Sequence, residues 1–253
     1  MEKIKELANL IRESQRIVVF TGAGVSTESG IPDFRSPGGL WSKYDPSEFY
    51  FQRFLSDENA RRTYWKMYRE FYATLHRAEP NEAHHACKRL WEMGKLLAVV
   101  TQNVDGLHQK AGVPEELVLE LHGNAWRVKC LCCGNSYPSQ EIERWLNEGV
   151  EIPLCEKCNG LLKPATVSFG QSLPPDVLRK AEKCARECDL MIAAGSSLVV
   201  FPAAMIPIMA KDAGARLVIV NLDPTPYDDR ADLVIRGSAG VILMSAVKEA
   251  EIM

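Results

Sequence analysis

The chain has 253 residues, of which 46% are hydrophobic and 25% charged, enough for one large core with a small appended module rather than two equal domains. Thirty basic against thirty-three acidic side chains leave a net charge of −3. No global field therefore pulls it toward nucleic acid or an anionic membrane, and no direct nucleic-acid binding is predicted.

In chain order, MEKIKELANLIRESQ places Ile4, Leu7, Leu10 and Ile11 at helical spacing with charges between. This reads as an amphipathic helix without a signal peptide's apolar centre, and a cytoplasmic location is expected. The apolar run 16–20 then breaks into Gly22-Ala23-Gly24. Such a strand-to-glycine junction lets the backbone approach a diphosphate, and a following helix start would aim free N–H groups at the anion. The dinucleotide fingerprint wants a third glycine where Thr27 stands, and Gly30-Ile31-Pro32-Asp33 ends any helix within about two turns. An ordinary dehydrogenase is therefore not expected.

Further apolar, β-branched runs at 96–100, 117–121, 190–194, 217–220 and 233–235 alternate with helical patterns, which means a parallel α/β sheet. Two segments interrupt the alternation. The first, from Pro37 to about Glu79, holds 11 of the chain's 20 aromatics. It reads mostly as a small helical core, and also as a wall or lid beside a nucleotide loop. The second, roughly 128 to 162, carries Cys130-x-x-Cys133 and Cys155-x-x-Cys158, with 21 residues between the pairs. Two such knuckles, with Gly134, Asn159 and Gly160 as turn residues, suit one tetrahedral zinc, and four thiolates close its shell, so the metal is structural. Cys132 is left unligated, and Cys87, Cys184 and Cys188 read as small core residues. Leu190 to Ala210 is long and apolar enough to suggest a membrane span, but Gly195-Ser196-Ser197, Pro202 and Pro207 break it into strand, loop and helix.

Ligands of an open parallel sheet bind beyond the strands' carboxyl ends. There the chain sets Gln102-Asn103-Val104-Asp105 after one strand, His122-Gly123 after the next, and Gly195-Ser196-Ser197 and Asn221-Leu222-Asp223 after two more. Singly, Asp105 could cap a helix, Asn103 serve a turn and His122 sit in a core. Together with the first glycine junction they would converge on one cleft, with His122 as a natural general base.

GAGVSTESGIPDFRS, TQNVDGLH, His122-Gly123, the two knuckles, Val167-Ser168-Phe169-Gly170, GSSL and Asn221 resemble the sirtuins, NAD-dependent protein-lysine deacylases, from about Leu10 to Leu243. The resemblance implies a Rossmann-type parallel-sheet domain (1–36, 80–127 and 163–253) with a small domain made of a helical insertion (37–79) and a zinc-binding module (128–162). It implies NAD as a consumed co-substrate: the acyl oxygen attacks C1′ of the nicotinamide ribose, an alkylamidate forms, and water releases lysine and O-acyl-ADP-ribose. By the same resemblance His122 is the base, and Gln102 and Asn103 hold the ribose and an ordered water. Val104 and Asp105 receive the carboxamide; a carboxylate accepts an amide N–H. Gly22, Ala23, Gly24, Thr27 and Arg35 meet the diphosphate side, Asp33 binds NAD from the loop over the nicotinamide ribose, and Phe34 shields the reacting centre. Ser196, Ser197, Asn221, Asp223 and Ala239 hold the adenosine half. Acetylated protein or peptide partners would pair as an added strand with Val167, Phe169 and Gly170 on one side and a loop near 197–201 on the other.

Ser168 and Gln171 stand where many sirtuins have a bulky aromatic and an acid, so peptide preference is expected to differ. Relatives specialised for acidic acyl groups carry a tyrosine and an arginine where this chain has Tyr68 and Phe71. Without a guanidinium to grip a carboxylate, an apolar pocket favouring acetyl over succinyl is expected. Protein mono-ADP-ribosyl transfer, and a non-catalytic NAD or zinc interaction module, are the alternatives left open.

Overall fold

The computed structural model describes residues 1–34 and 36–252. It begins with α1 (Glu2–Glu13), which buries Leu7, Ala8 and Ile11, and β1 (Ile17–Thr21), buried along its whole length. The helix start expected after the glycines does not form. Two 3-10 turns, Ala23–Val25 and Thr27–Ser29, stand in its place. Gly30 closes the second at φ +81°, a left-handed conformation that glycine adopts without strain.

Two more 3-10 turns lead into α2 (Phe51–Ser56) and α3 (Glu58–Arg77). Asp57 starts α3 by accepting the Asn59 and Ala60 N–H groups, a cap of about 1 kcal/mol. Tyr64, Trp65, Tyr68, Tyr72 and Leu75 lie buried on α3, but only Tyr64 joins a core internal to the aromatic segment, with Phe49 and Phe54; Trp65, Tyr68 and Tyr72 pack against Val128, Ile142 and Leu162, and Leu75 against Ile31 and Leu107. After α4 (Glu82–Glu92) come β2 (Leu96–Thr101), the single turn α5 (Leu107–Lys110) and β3 (Val118–Glu120). β4 (Gly123–Cys130), β5 (Ser136–Pro138), α6 (Ser139–Asn147) and β6 (Leu162–Thr166) form a second unit, its three strands antiparallel in the order β5-β4-β6 and its core shared with Trp65, Tyr68 and Tyr72 of α3. The chain ends with α7 (Pro175–Glu187), β7 (Leu190–Ala194), α8 (Met205–Asp212), β8 (Arg216–Asn221), β9 (Leu233–Arg236) and α9 (Ala239–Ile252).

The large sheet runs β3-β2-β1-β7-β8-β9, every pairing parallel. Alternate β1 residues serve two cores. Ile17 and Val19 pack with α1, α4 and α9 through Leu7, Leu90 and Leu243, whereas Val18 and Phe20 pack with α7 and α8 through Ala181 and Ile206. Both faces are covered, so the strands read as continuous apolar runs. The strand order reverses between β1 and β7, and a crevice opens there at the carboxyl ends.

Among the described residues no helix is long and apolar enough to cross a membrane. The 190–210 stretch is β7, a loop with a cis Phe201-Pro202 bond, and α8. The expected division into strand, loop and helix is thus present, and Pro207 sits in the first turn of α8, where a missing N–H costs nothing because no intrahelical acceptor exists for it.

Candidate active site

The glycine junctions after β1 and β7 meet at the switch point. Gly24 N–H donates to the Gly195 carbonyl at 2.8 Å and Gly22 N–H to Ala194 at 3.1 Å. A Cβ on Gly22 or Gly24 would lie 2.7 or 2.8 Å from that carbonyl oxygen, and one on Gly195 would lie 2.4 Å from the Val25 nitrogen. These glycines are needed first so that two backbones can touch. The Ala23 N–H remains without a protein acceptor among the described residues, and the Thr27 hydroxyl donates to the Gly24 carbonyl.

Beyond β2 the polar turn is held from several sides. Asn103 is 9% exposed; its amide NH2 donates to the Gly22 carbonyl at 3.1 Å and to Ser26 Oγ at 3.0 Å. Its Oδ1 has no donor among the described residues and is free to accept one from a ligand. Asp105 is 5% exposed. Its two carboxylate oxygens accept the Leu107 N–H at 2.9 Å and the Ser26 hydroxyl at 2.7 Å, each keeping a second lone pair. Burial raises its pKa, and the bonds from Leu107 and Ser26 work against that rise. Asp105 thus does part of the capping job its position suggested, one residue ahead of the Gly106 N-cap.

Beneath this turn, Thr21 Oγ1 donates to Thr101 Oγ1 at 2.8 Å and meets His108 Nε2 at 3.0 Å, while Thr101 accepts the Asn103 N–H. The Thr21 proton is committed, so His108 Nε2 carries hydrogen and Nδ1 a lone pair. His84 Nδ1 accepts the Asn81 N–H, which leaves the hydrogen on Nε2. The two remaining ring nitrogens, a donor and an acceptor, are buried without partners, and the rings are 4.8 Å apart. Burial lowers the pKa of His84 to about 4 and that of His108 well below its usual value.

His122 follows β3 and binds the Gln102 carbonyl through Nδ1 at 3.0 Å. A carbonyl only accepts, so Nδ1 carries the proton and Nε2 holds the lone pair of the neutral ring. Burial lowers the His122 pKa, and the Gln102 bond partly opposes it. The Gln102 amide donates to Ser196 Oγ at 2.8 Å, joining the β2 and β7 edges.

A cleft beyond β7 and β8 collects Gly24, Thr27, Asn221 and Ala239 from the predicted set. Asp223 is exposed and outside it, its carbonyl accepting from Asn221 Nδ2; Ser197 is exposed and Ser196 buried. Glu28, Gly195, Leu222, Gly237 and Ser238 also line the cleft. Glu28 accepts the Ser238 hydroxyl and the Gly240 N–H at the start of α9, where the helix dipole favours an anion. TESG alone carries no signal for it, because the partner lies 210 residues away.

On the other side, Asp33 accepts the Ser36 N–H and hydroxyl, and Phe34 is 38% exposed against Trp41 at 5.4 Å. Arg35 lies outside the described residues. Val104 and Phe71 pack on a cluster with Ile31, Leu75, Leu107 and Ala125. Tyr68 is 4% exposed and donates to the Ala125 carbonyl at 3.4 Å, so its hydroxyl is already engaged. The 167–170 segment is anchored at both ends: Val167 N–H donates to the His122 carbonyl, and the Phe169 carbonyl accepts from Phe51. Gly170 takes φ +77°. Gln171 Oε1 accepts the Ser168 N–H, so Ser168 and Gln171 close a local turn. Opposite, Val199 and Phe201 are exposed on the 197–201 loop.

Cys130, Cys133, Cys155 and Cys158 bring their sulfurs within 4.8 Å of one another. The 3.5 Å and 3.7 Å contacts of Cys130 with Cys158 and Cys133 with Cys155 are close to the edge of about 3.8 Å in a tetrahedron with 2.3 Å metal–sulfur bonds. Cys132 is not in the cluster. Gly160 acts here by size: a Cβ would lie 3.0 Å from Cys130 Sγ and 3.2 Å from Cys158 Sγ. The donor set fits one structural zinc.

The model of the Sir2 family matches residues 22–202. An NAD-dependent protein deacetylase of Rhodopseudomonas palustris is 46% identical over 240 residues, covering 95% of this chain and 94% of the relative. NAD-dependent protein deacylase 2 of Pyrobaculum aerophilum is 43% identical over 247 residues, covering 96% and 94%. A solved structure of Sir2 with p53 peptide and NAD+ superposes with a TM-score of 0.89 at 40% identity, covering 99% of each chain. The chain belongs to the Sir2 family.

Proposed function

We propose that the chain removes acetyl groups from protein lysine side chains with consumption of NAD, yielding nicotinamide, O-acetyl-ADP-ribose and free lysine. The observation that carries this is the Nδ1 bond of His122 to Gln102, which leaves a basic Nε2 at the same sheet edge as Asn103, Asp105 and the paired glycine junctions. Binding alone would not require an oriented base there.

When bound, NAD supplies an activated bond from C1′ to nicotinamide whose cleavage lets an acyl oxygen attach to the ribose. His122 Nε2 then removes a ribose hydroxyl proton, a general-base role. Gln102 and the free Oδ1 of Asn103 hold ribose hydroxyls or a water, and Asp105 and Val104 take the carboxamide. The Ala23 N–H, Gly22, Gly24, Thr27 and Arg35 serve the diphosphate side, Asp33 binds NAD from the loop over the nicotinamide ribose, and Phe34 excludes water. Ser196, Ser197, Asn221, Asp223 and Ala239 hold the adenosine half. Acetylated peptides pair between Val167–Gly170 and the 197–201 loop, with Tyr68 and Phe71 walling the acyl group. The division of labour is a parallel-sheet NAD domain (1–36, 80–127, 163–253), a helical insertion (37–79) and a zinc module (128–162), working in the cytoplasm without nucleic-acid contacts.

The test is mass spectrometry of an acetyl-lysine peptide incubated with the protein and NAD. Loss of acetyl with formation of O-acetyl-ADP-ribose is expected. ADP-ribose linked to protein with acetyl retained overturns the reading in favour of ADP-ribosyl transfer, and no NAD turnover in favour of a binding module.

A further inference from the structure

β4 does not run straight from His122 to the zinc knuckle. Gly123 pairs with Thr166 and Val128 with Pro164, so β4 spends five steps where β6 spends two and must bulge between them. The bulge leans on the turn after β2. Ala125 N–H donates to the Val104 carbonyl at 3.0 Å, and Trp126 Nε1 donates to the Asp105 carbonyl at 2.7 Å.

The indole is fixed before it reaches that carbonyl. Asn124 Oδ1 accepts the Trp126 N–H at 2.7 Å, and Asn124 Nδ2 donates to Glu120, which also accepts from Gln109. Tyr72 packs edge-on against the indole at 5.6 Å. Gly106 admits it: that residue has φ +71°, and a Cβ there would lie 2.7 Å from Nε1. Among the described residues the Asp105 carbonyl has no other donor, so losing the indole N–H would leave a buried acceptor unsatisfied next to a buried carboxylate.

We infer that Trp126 is a positioning residue for the nicotinamide end of the site, its indole N–H setting the Asp105 turn and so the aim of the Asp105 carboxylate. This rests on the proposed role of Asp105 toward the carboxamide. It also makes β4 a bar between the zinc knuckle at Cys130 and the catalytic turn, with His122 at its other end.

Trp126→Phe keeps a ring against Tyr72 and removes the donor. Steady-state deacetylation of an acetyl-lysine peptide should show KM for NAD and the nicotinamide inhibition constant rising together by about 3- to 10-fold, the scale of one lost hydrogen bond. KM for peptide should change less than KM for NAD, because the phenyl ring keeps the packing beside Phe71 and only the donor to Asp105 is lost. Zinc content should be unchanged, and hydrogen exchange at Leu107 and Ala125 should accelerate. Unchanged NAD and nicotinamide constants, or equal losses for both substrates together with a lower Tm, would overturn the inference. If the wild-type protein itself removes no acetyl group, the proposed function fails, and the exchange rates at Leu107 and Ala125 still decide whether Trp126 sets the turn.

Discussion

His122 Nδ1–H donates a hydrogen bond to the Gln102 carbonyl at 3.0 Å, and this contact fixes which ring nitrogen is basic. His122→Ala should lower turnover by about 100-fold or more, the scale of a positioned general base. NAD binding by calorimetry should be largely retained. Because burial holds the His122 pKa below 6.5, the neutral ring persists into mildly acidic solution. The acid limb of kcat/KM should therefore fall below pH 6.5, and a midpoint above 6.5 would contradict the assignment.

Asp105 is buried with no cationic partner among its hydrogen bonds. Its raised pKa means that burial makes the ionised carboxylate costlier in the folded chain than in the unfolded one, so holding the charge there lowers stability. Asp105→Asn should keep Tm or raise it slightly while kcat/KM for NAD falls at least about tenfold, through loss of a charged acceptor. Lower Tm with unchanged kinetics would make Asp105 a structural cap only.

His84 and His108 are held neutral by burial, His84 at a pKa of about 4. The unfolded chain takes up protons below about pH 6.5 that the native rings refuse, so stability should decrease as pH falls from 6.5 toward 4. The slope approaches about 1.4 kcal/mol per pH unit for each such ring. Chemical denaturation across this range should show a shallower slope for His84→Leu than for the wild type.

Chelation should unfold the β4-β5-β6 unit, because the metal–thiolate bonds that would tie together four sulfurs lying within 4.8 Å of each other contribute folding free energy. Cys155→Ser should do the same without a chelator. Loss of the unit's near-ultraviolet dichroism, with far-ultraviolet signal from the large sheet retained, is the expected signature. A folded, active apoprotein would refute it.

Acetyl-lysine peptides should be turned over at least about tenfold faster than succinyl-lysine peptides, since the position from which an arginine would bind the carboxylate holds Phe71. Phe71→Arg should narrow that ratio. Comparable wild-type rates on both substrates would remove the apolar-pocket argument.

The sequence by itself determined the elements with strong local signals. Apolar β-branched runs become the six parallel strands because each is buried on both faces. Paired cysteines find each other because a knuckle is a local turn, and Gly30 and Pro32 stop a helix through their own backbone chemistry. Tertiary structure decided whatever depends on residues far apart in the chain. Gly22, Gly24 and Gly195 are glycines largely because two strand ends touch, and Glu28 earns its place from Ser238 and Gly240 across the cleft. Trp126 looks like one more aromatic until the bulge in β4 turns its indole onto Asp105. Local sequence fixes backbone propensity and burial period, but close approach and hydrogen-bond pairing between distant segments exist only once the strands are ordered.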